Sequence, residues 1–99
     1  MKLFLSDAAR QDLIDIGDTI AADNPQRAAS FVREIERKCR NLTSSPFAFQ
    51  VVARYERAGL RRAVHGRYSI FYRVDADAVI VVRVLHAAMD DEAALKGQP

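Results

Sequence analysis

Cysteine is scarce in this chain of 99 residues, and long apolar runs are missing. The single cysteine, Cys39, excludes an internal disulfide and is typical of a reducing compartment, so we expect a cytoplasmic location. No apolar run approaches the ~20 residues that a membrane-spanning helix requires, and the N-terminus becomes polar too early for a secretory signal. We therefore expect no contact with a membrane.

Motifs for metals and phosphates are also missing. Cys39, His65 and His86 are the only thiol or imidazole ligands, and they lack the paired spacing of a zinc site. The four glycines are spread along the chain and form no phosphate-binding loop. We expect no metal and no cofactor. The length and the apolar fraction of 49% predict one soluble domain over residues 1–99.

Positive charge is concentrated in the second half of the chain. Residues 1–50 carry seven Lys/Arg and seven Asp/Glu, whereas residues 51–86 carry seven Arg and three Asp/Glu, a net charge of +4. Every cation in the second range is arginine, whose planar fork suits bidentate contacts to carboxylate or phosphate. This pattern favours an anionic partner, either a nucleic acid or an acidic peptide.

The run VIVVRVLH, from Val79 to His86, is the most strand-like stretch of the chain. Its β-branched residues favour a strand, and its nearly continuous apolar character predicts a central strand covered on both faces. Arg83 and His86 are the polar exceptions. Because side chains alternate along a strand, we expect these two to point to opposite faces.

Two helices are predicted near the N-terminus, after a short strand over residues 2–5. Ser6 is an N-cap, and apolar residues at helical spacing extend the first helix to about Ala22. Gly17 inside this helix lowers helix stability by about 1 kcal/mol relative to alanine. Close approach of a second helix is one physical reason for a glycine at this position. Asn24 and Pro25 begin that second helix, whose apolar stripe includes Cys39.

Three strands follow a loop over residues 47–59. They are Leu60 to His65, Tyr68 to Val74 and the central run, and Gly66 is predicted at the first central position of the turn between the first two. Weak helical character follows over residues 89–95. The order predicts an α+β fold in which a helical hairpin packs on one face of a largely antiparallel sheet, while the other face stays partly open and collects arginines.

Arg83 has two interpretations, which the sequence supports equally. In the first, it pairs with a carboxylate or with backbone carbonyls, because an unpaired arginine in an apolar strand is costly. In the second, it binds an anion on the open face together with Arg73 of the neighbouring strand.

His86 is more often a structural residue at such a position than an acid or base. An RNA-cleaving site would need it to act with cations and with a second acid or base. The sequence does not single out that second group among five candidates, which are Tyr55, Tyr68, Tyr72, Glu56 and His65.

Four segments of the chain together resemble the ParE branch of the RelE/ParE toxins of bacterial type II toxin–antitoxin systems. They are LSDAARQDLIDI, FVREIERKCRNL after an NP turn, GLRRAVHGRYSIFYRVD and VIVVRVLHAAMD. The most specific parts are IFYRV, from Ile70 to Val74, and RVLH, from Arg83 to His86. The resemblance covers almost the whole chain. It implies a helical hairpin packed on an antiparallel sheet.

The resemblance implies a toxin that inhibits DNA gyrase, arrests growth and stabilises plasmids, without being an enzyme. It also implies a ParD-like antitoxin, whose C-terminal segment folds on the helical hairpin and pairs with arginines of the toxin. The toxin alone is not expected to bind nucleic acid directly. Residues 86–95 and the open-face arginines are candidates for target contact. The predicted antitoxin or target contacts are Arg61, Arg62, Arg73, Arg83 and His86.

Two alternatives stay open. One is a RelE-type, ribosome-dependent mRNA endoribonuclease that uses His86, Arg83 and Arg73. Many such relatives have a tyrosine near or just beyond the position of His86, whereas Ala-Ala-Met follows here, which favours a binding toxin. The other is a degenerate toxin that acts only as an antitoxin-binding co-repressor.

Overall fold

The computed structural model describes residues 1–89 and 91–96. Residue 90, which lies within the predicted contact region 86–95, is outside the described residues. The elements in chain order are β1 (Lys2–Leu5), α1 (Asp7–Ala21), α2 (Pro25–Leu42), β2 (Arg61–His65), β3 (Tyr68–Asp75), β4 (Ala78–His86) and α3 (Asp91–Leu95). This order confirms the predicted succession of strand, two helices and three strands.

Both long helices begin at the predicted caps. The Ser6 hydroxyl accepts a hydrogen bond from the Ala9 amide at 3.0 Å, and the same hydroxyl donates to the Val82 carbonyl at 2.8 Å. Asn24 accepts from the Arg27 amide at 3.1 Å. The Ser6 side chain therefore caps α1 and also fixes its first turn to β4.

Gly17 is not required by helix packing. A Cβ atom placed on it would lie 3.5 Å from Val32 Cγ2, which is an ordinary van der Waals contact. The α2 helix therefore has room for an alanine at this position, and close approach does not explain the glycine.

The four strands form one mixed sheet with the order β1-β4-β3-β2. The β4 strand is central, as predicted, because it pairs in parallel with β1 and antiparallel with β3. The β2–β3 hairpin turns at Gly66, whose φ of +59° suits a residue without a Cβ. At a register shift, Phe71 lies opposite Arg83 while Tyr72 lies opposite Val81, so β4 contains a bulge at Val82.

Apolar clusters cover both faces of the sheet. The hairpin packs on one face, in a core that includes the buried Cys39 and Val81. The opposite face carries a second cluster made by Leu60, Phe71, Val82, Leu85 and Leu95. Because Leu95 belongs to α3, this short helix covers part of the face that the sequence predicted to be partly open.

Candidate functional site

Arg83 forms a bidentate ion pair with Asp12 of α1. Its Nε and Nη2 atoms donate to the two carboxylate oxygens at 2.7 and 2.8 Å, and both side chains are largely buried. Its Nη1 atom donates to the Ala94 carbonyl of α3 at 3.1 Å. The bonds to Asp12 raise the pKa of the guanidinium above its ordinary value. Of the two interpretations of Arg83, the structure supports the structural ion pair.

Asp12 also completes the edge of β4. Its Oδ2 atom accepts the Val84 amide at 2.9 Å, where β1 no longer runs alongside the strand. Sequence reasoning missed this residue. The available signal was its position one turn from Ala9 and from Ile16 on the buried stripe of α1, where a carboxylate needs a cation.

Arg73 is not placed beside Arg83. It lies opposite Ile80, whereas Arg83 lies opposite Phe71, so the two are about 7 Å apart along β3. The Arg83 guanidinium is also directed toward α1, on the side of β4 away from β3. These two residues therefore do not form the predicted pair of neighbouring guanidiniums.

Arg61 and Arg62 take different roles at the other edge of the sheet. Arg61 donates to the Phe49 carbonyl at 2.5 Å and lies over the Phe47 ring at 5.1 Å, so it holds the loop before β2. Arg62 donates to Ser69 Oγ at 2.9 Å and lies 5.9 Å from the Phe71 ring centroid. Arg62 is exposed, so its charge is accessible to a partner.

His86 lies opposite Tyr68 at the end of the β3–β4 pair. The two rings meet edge to face with centroids 5.0 Å apart, and His86 Nδ1 accepts the Ala88 amide at 3.0 Å. Because Nδ1 is an acceptor, the proton of the neutral imidazole is on Nε2. In this arrangement Nε2 carries a proton and can act only as a donor, and not as a base.

Arg83 and His86 line the same cleft between α1 and the end of β4, although they alternate along the strand. The cleft has a volume of about 350 Å³, and its wall also contains Tyr68, Asp12 and Asp15. Both residues reach this cleft, although they are expected to point to opposite faces of the strand, because Asp12 binds Arg83 at the strand edge. Because Arg83 balances the charge of Asp12, the second carboxylate, Asp15, leaves these three groups with a net negative charge, which is unfavourable for phosphate.

Tyr68 is the one of the five acid or base candidates that the structure places against His86. Tyr72 donates to the Pro46 carbonyl at 2.7 Å, and burial raises the pKa of its hydroxyl. His65 instead lies 3.0 Å from Glu34. Tyr55 packs against the second apolar cluster, and Glu56 is exposed in the loop before β2.

The sequence matches the model of the ParE toxins of the type II toxin–antitoxin system parDE over residues 3–91. This chain belongs to the ParE toxin family. Comparison with curated protein sequences found no match. The family assignment and the fold confirm the resemblance that the four sequence segments carried.

Solved structures share this ParE-family fold. A chain of the chromosomal ParDE system from P. aeruginosa superposes with a TM-score of 0.73 at 21% identity, over 87% of this chain and 95% of that one. A chain of the RelBE2 complex from Mycobacterium tuberculosis gives 0.62 at 25% identity, over 86% and 95%. A chain of the RelB–RelE complex from Methanococcus jannaschii gives 0.53 at 23% identity, over 85% and 89%.

Two further observations concern residues 1–89 and 91–96 only. No helix there is long and apolar enough to cross a membrane. No group of three or more His, Cys, Asp or Glu side chains lies close enough together there to hold a metal ion.

Proposed function

We propose that this ParE-family toxin acts by binding DNA gyrase, without catalysis of its own, and that a ParD-like antitoxin neutralises it. The observation that carries the choice of binding over catalysis is the ion pair of Arg83 with Asp12. An RNA-cleaving site needs an accessible cation to stabilise the charge that develops on phosphate. Here the charge of Arg83 is already neutralised by Asp12.

The remaining groups of the cleft support the same choice. Asp15 adds a second carboxylate to the cleft that His86 lines, which disfavours the approach of an RNA phosphate. The Ala88 amide occupies the nitrogen of His86 that a general base would use. Both features are compatible with a binding surface.

The family assignment and the exposed end of β4 support gyrase as the target. Residues 87–89 are exposed directly after β4, and Met89 keeps 49% of its surface accessible. An exposed methionine adapts to many protein surfaces. We therefore place the target contact at residues 86–89 and at the exposed arginines, with Arg62 as the first candidate.

The structural relatives come from toxin–antitoxin complexes, and this supports an antitoxin as the partner of the chain. Ile14 of α1 is 56% exposed and offers an apolar contact on the helical hairpin. The net charge of +4 over residues 51–86 suits an acidic segment that folds on binding.

A supercoiling reaction tests the gyrase proposal. Purified gyrase, relaxed plasmid, ATP and the antitoxin-free toxin should give less supercoiled product and more trapped double-strand cleavage, and added antitoxin should prevent both. The Met89→Ser variant should weaken the effect. Phe4→Ser is a matched control because Phe4 is similarly exposed, at 52%, and lies in the edge strand β1. A folded, antitoxin-binding sample without effect on gyrase would contradict the proposal.

A ribosome-dependent endoribonuclease remains the second candidate because Tyr68 and His86 are in contact. It predicts that translating ribosomes cleave mRNA with the wild-type toxin and that His86→Ala, still folded, does not support cleavage. If neither activity occurs and expression without antitoxin leaves growth unchanged, the chain is a co-repressor only.

A further inference from the structure

The outer edge of β1 is uncovered. In the strand order β1-β4-β3-β2 this strand lies at one end of the sheet, and no other strand among the elements that the structure describes pairs with its outer side. Its four residues, Lys2–Leu5, each pair in parallel with one residue of β4. An open edge of this kind is a template on which a further strand can add.

The main-chain groups of Leu3 and Leu5 point outward from this edge. The amides of Lys2 and Ser6 donate to main-chain carbonyls on the β4 side at 2.8 and 2.9 Å. In a strand, residues that bond to one neighbour alternate with residues whose N–H and C=O point the other way. The even-numbered residues of this segment therefore bond toward β4, whereas Leu3 and Leu5 present donors and acceptors on the open side.

Phe4 is an exposed aromatic residue in the middle of the same edge. It is 52% exposed and lies beside Ile80 of β4. Leu3 and Leu5 belong to the core under the helical hairpin, and side chains alternate along a strand, so Phe4 lies on the opposite face of the sheet. A partner that covers this edge would gain the burial of an aromatic ring.

The edge is complementary to a second copy of itself. When two β1 strands meet antiparallel about a twofold axis at Phe4, Leu3 of one copy lies opposite Leu5 of the second copy. These are the outward-pointing residues, so each such pair exchanges both of its main-chain hydrogen bonds. Phe4 then lies opposite Phe4 of the second copy, in a pair without main-chain bonds, where the side chains are closest.

The same alignment brings opposite charges together. It places Lys2 opposite Ser6 of the second copy, next to Asp7, which is the acidic residue in the first turn of α1. A lysine on an edge strand ordinarily discourages the addition of another strand. Here each Lys2 meets a carboxylate instead, and the twofold axis gives this contact twice. An acidic segment of another protein fits less well, because Lys2 is the only cation of the strand and Asp7 would repel it.

We propose that the outer edge of β1 joins two copies of this chain into a symmetric dimer, in which the two four-stranded sheets continue into one. This inference goes beyond the proposed function and does not depend on it. The β1 strand pairs only with Ala78–Val81 of β4, so the dimer leaves residues 86–89 at the other end of β4 uncovered. Phe4→Ser should therefore weaken the dimer and leave the inhibition of gyrase unchanged.

Sedimentation equilibrium of the antitoxin-free chain measures the dimer. We expect the mass of the wild type to rise from 11.1 kDa toward twice that value as its concentration increases. Phe4→Ser should raise the dimer Kd at least about tenfold, because one interface loses both aromatic rings. Val64→Ser is the matched control and should leave Kd unchanged, since Val64 is also 52% exposed but lies in β2, at the opposite edge of the sheet.

An exchange of Lys2 and Asp7 tests the alignment of the two strands. Lys2→Glu and Asp7→Lys should each weaken the dimer, because each brings like charges together, and the double variant Lys2→Glu/Asp7→Lys should restore it. These effects should shrink at high salt, which screens exposed charges. Thermal melting checks that every variant is folded. A double variant that dimerises as weakly as the single variants would contradict this alignment.

A cysteine at the twofold axis tests proximity directly. Opposite Cα atoms in a pair without main-chain bonds lie about 4.5 Å apart, which is within the range that a disulfide spans. In a Cys39→Ala background, which removes the native thiol, Phe4→Cys should give a covalent dimer when diamide oxidises the two thiols. Val64→Cys is the matched control and should remain a monomer under the same conditions.

Three outcomes would overturn the inference. The first is a folded toxin that stays monomeric up to about 1 mM. The second is a dimer that Val64→Ser abolishes and Phe4→Ser does not, because the opposite edge would then form it. The third is a monomeric toxin in which Phe4→Ser weakens binding of the protein encoded by the neighbouring gene, because an antitoxin would then occupy the β1 edge. None of these outcomes contradicts the gyrase proposal, which the supercoiling reaction tests separately.

Discussion

Asp12 of α1 binds Arg83 of β4, 71 residues later in the chain, through both of its carboxylate oxygens. The same carboxylate accepts the Val84 amide, and the same guanidinium donates to the Ala94 carbonyl. One ion pair therefore joins the helical hairpin, the central strand and α3.

Breaking this pair should destabilise the fold. Arg83→Met keeps the apolar stem but leaves Asp12 buried without its cation, which should lower the free energy of unfolding by about 3 kcal/mol. Urea unfolding measures the loss. The exposed Arg67→Met is the control and should stay within about 0.5 kcal/mol of the wild type.

The double variant Asp12→Asn/Arg83→Met separates the ion pair from other effects. If the two side chains interact as the structure indicates, the loss in the double variant is smaller than the sum of the two single losses. Additive losses would contradict a direct interaction.

Gly17→Ala should stabilise the protein. Gly17 lies within α1, and its added Cβ would make only an ordinary contact with Val32. Alanine favours a helix by about 1 kcal/mol over glycine, so the thermal midpoint should rise. A lower midpoint, measured by circular dichroism, would mean that α2 cannot accommodate the methyl group.

The Cys39 thiol should react slowly in the folded protein. Its side chain is 1% exposed, and burial raises its pKa from 9.0 to about 11. At pH 8 the thiolate fraction is then about 100-fold lower than in the unfolded chain, and alkylation should slow at least in proportion. Iodoacetamide labelling with and without urea measures the ratio, and equal rates would contradict the buried position.

The same shift in pKa predicts a loss of stability at alkaline pH. Between pH 9 and 11 the unfolded thiol ionises while the folded thiol stays protonated, so the free energy of unfolding falls as the pH rises. Cys39→Ala should remove this part of the pH dependence.

Glu34 should contribute to stability in a pH-dependent way. Hydrogen bonds from Arg27 and then from His65 hold the pKa of its carboxyl below the ordinary value of 4.5. A lowered pKa gives a contribution that is complete above pH 4.5 and is lost as the pH falls through the folded pKa. The difference in unfolding free energy between wild type and Glu34→Gln should therefore shrink under acidic conditions.

Arg27→Gln provides the control for Glu34. It removes the hydrogen bond that is the largest cause of the lowered pKa of Glu34. In that background the effect of Glu34→Gln on the free energy of unfolding should therefore lose most of its pH dependence. Urea unfolding at several pH values below 6 measures both series. A pH dependence that is unchanged in the Arg27→Gln background would show that another group lowers the pKa of Glu34.

The sequence predicted only part of the candidate site. Arg83 and His86 were singled out because polar groups in an apolar strand need a reason, and both line the cleft. Asp12 was not predicted, and Tyr68 was only one of five candidates, because neither residue is marked by its spacing relative to Arg83 or His86. The predicted association of Arg73 with Arg83 failed because the register of β3 against β4 separates the two residues.

The sequence by itself determined the order and approximate bounds of the elements, the caps at Ser6 and Asn24, and the Gly66 turn. These features depend on residues a few positions apart, whose periodicity and backbone preferences act locally. Only the tertiary structure decided the partner of Arg83, the parallel pairing of β1 with β4, the helix over the second face and the uncovered outer edge of β1. Those depend on which distant segments meet, and local patterns do not encode the partner of a group 71 residues away.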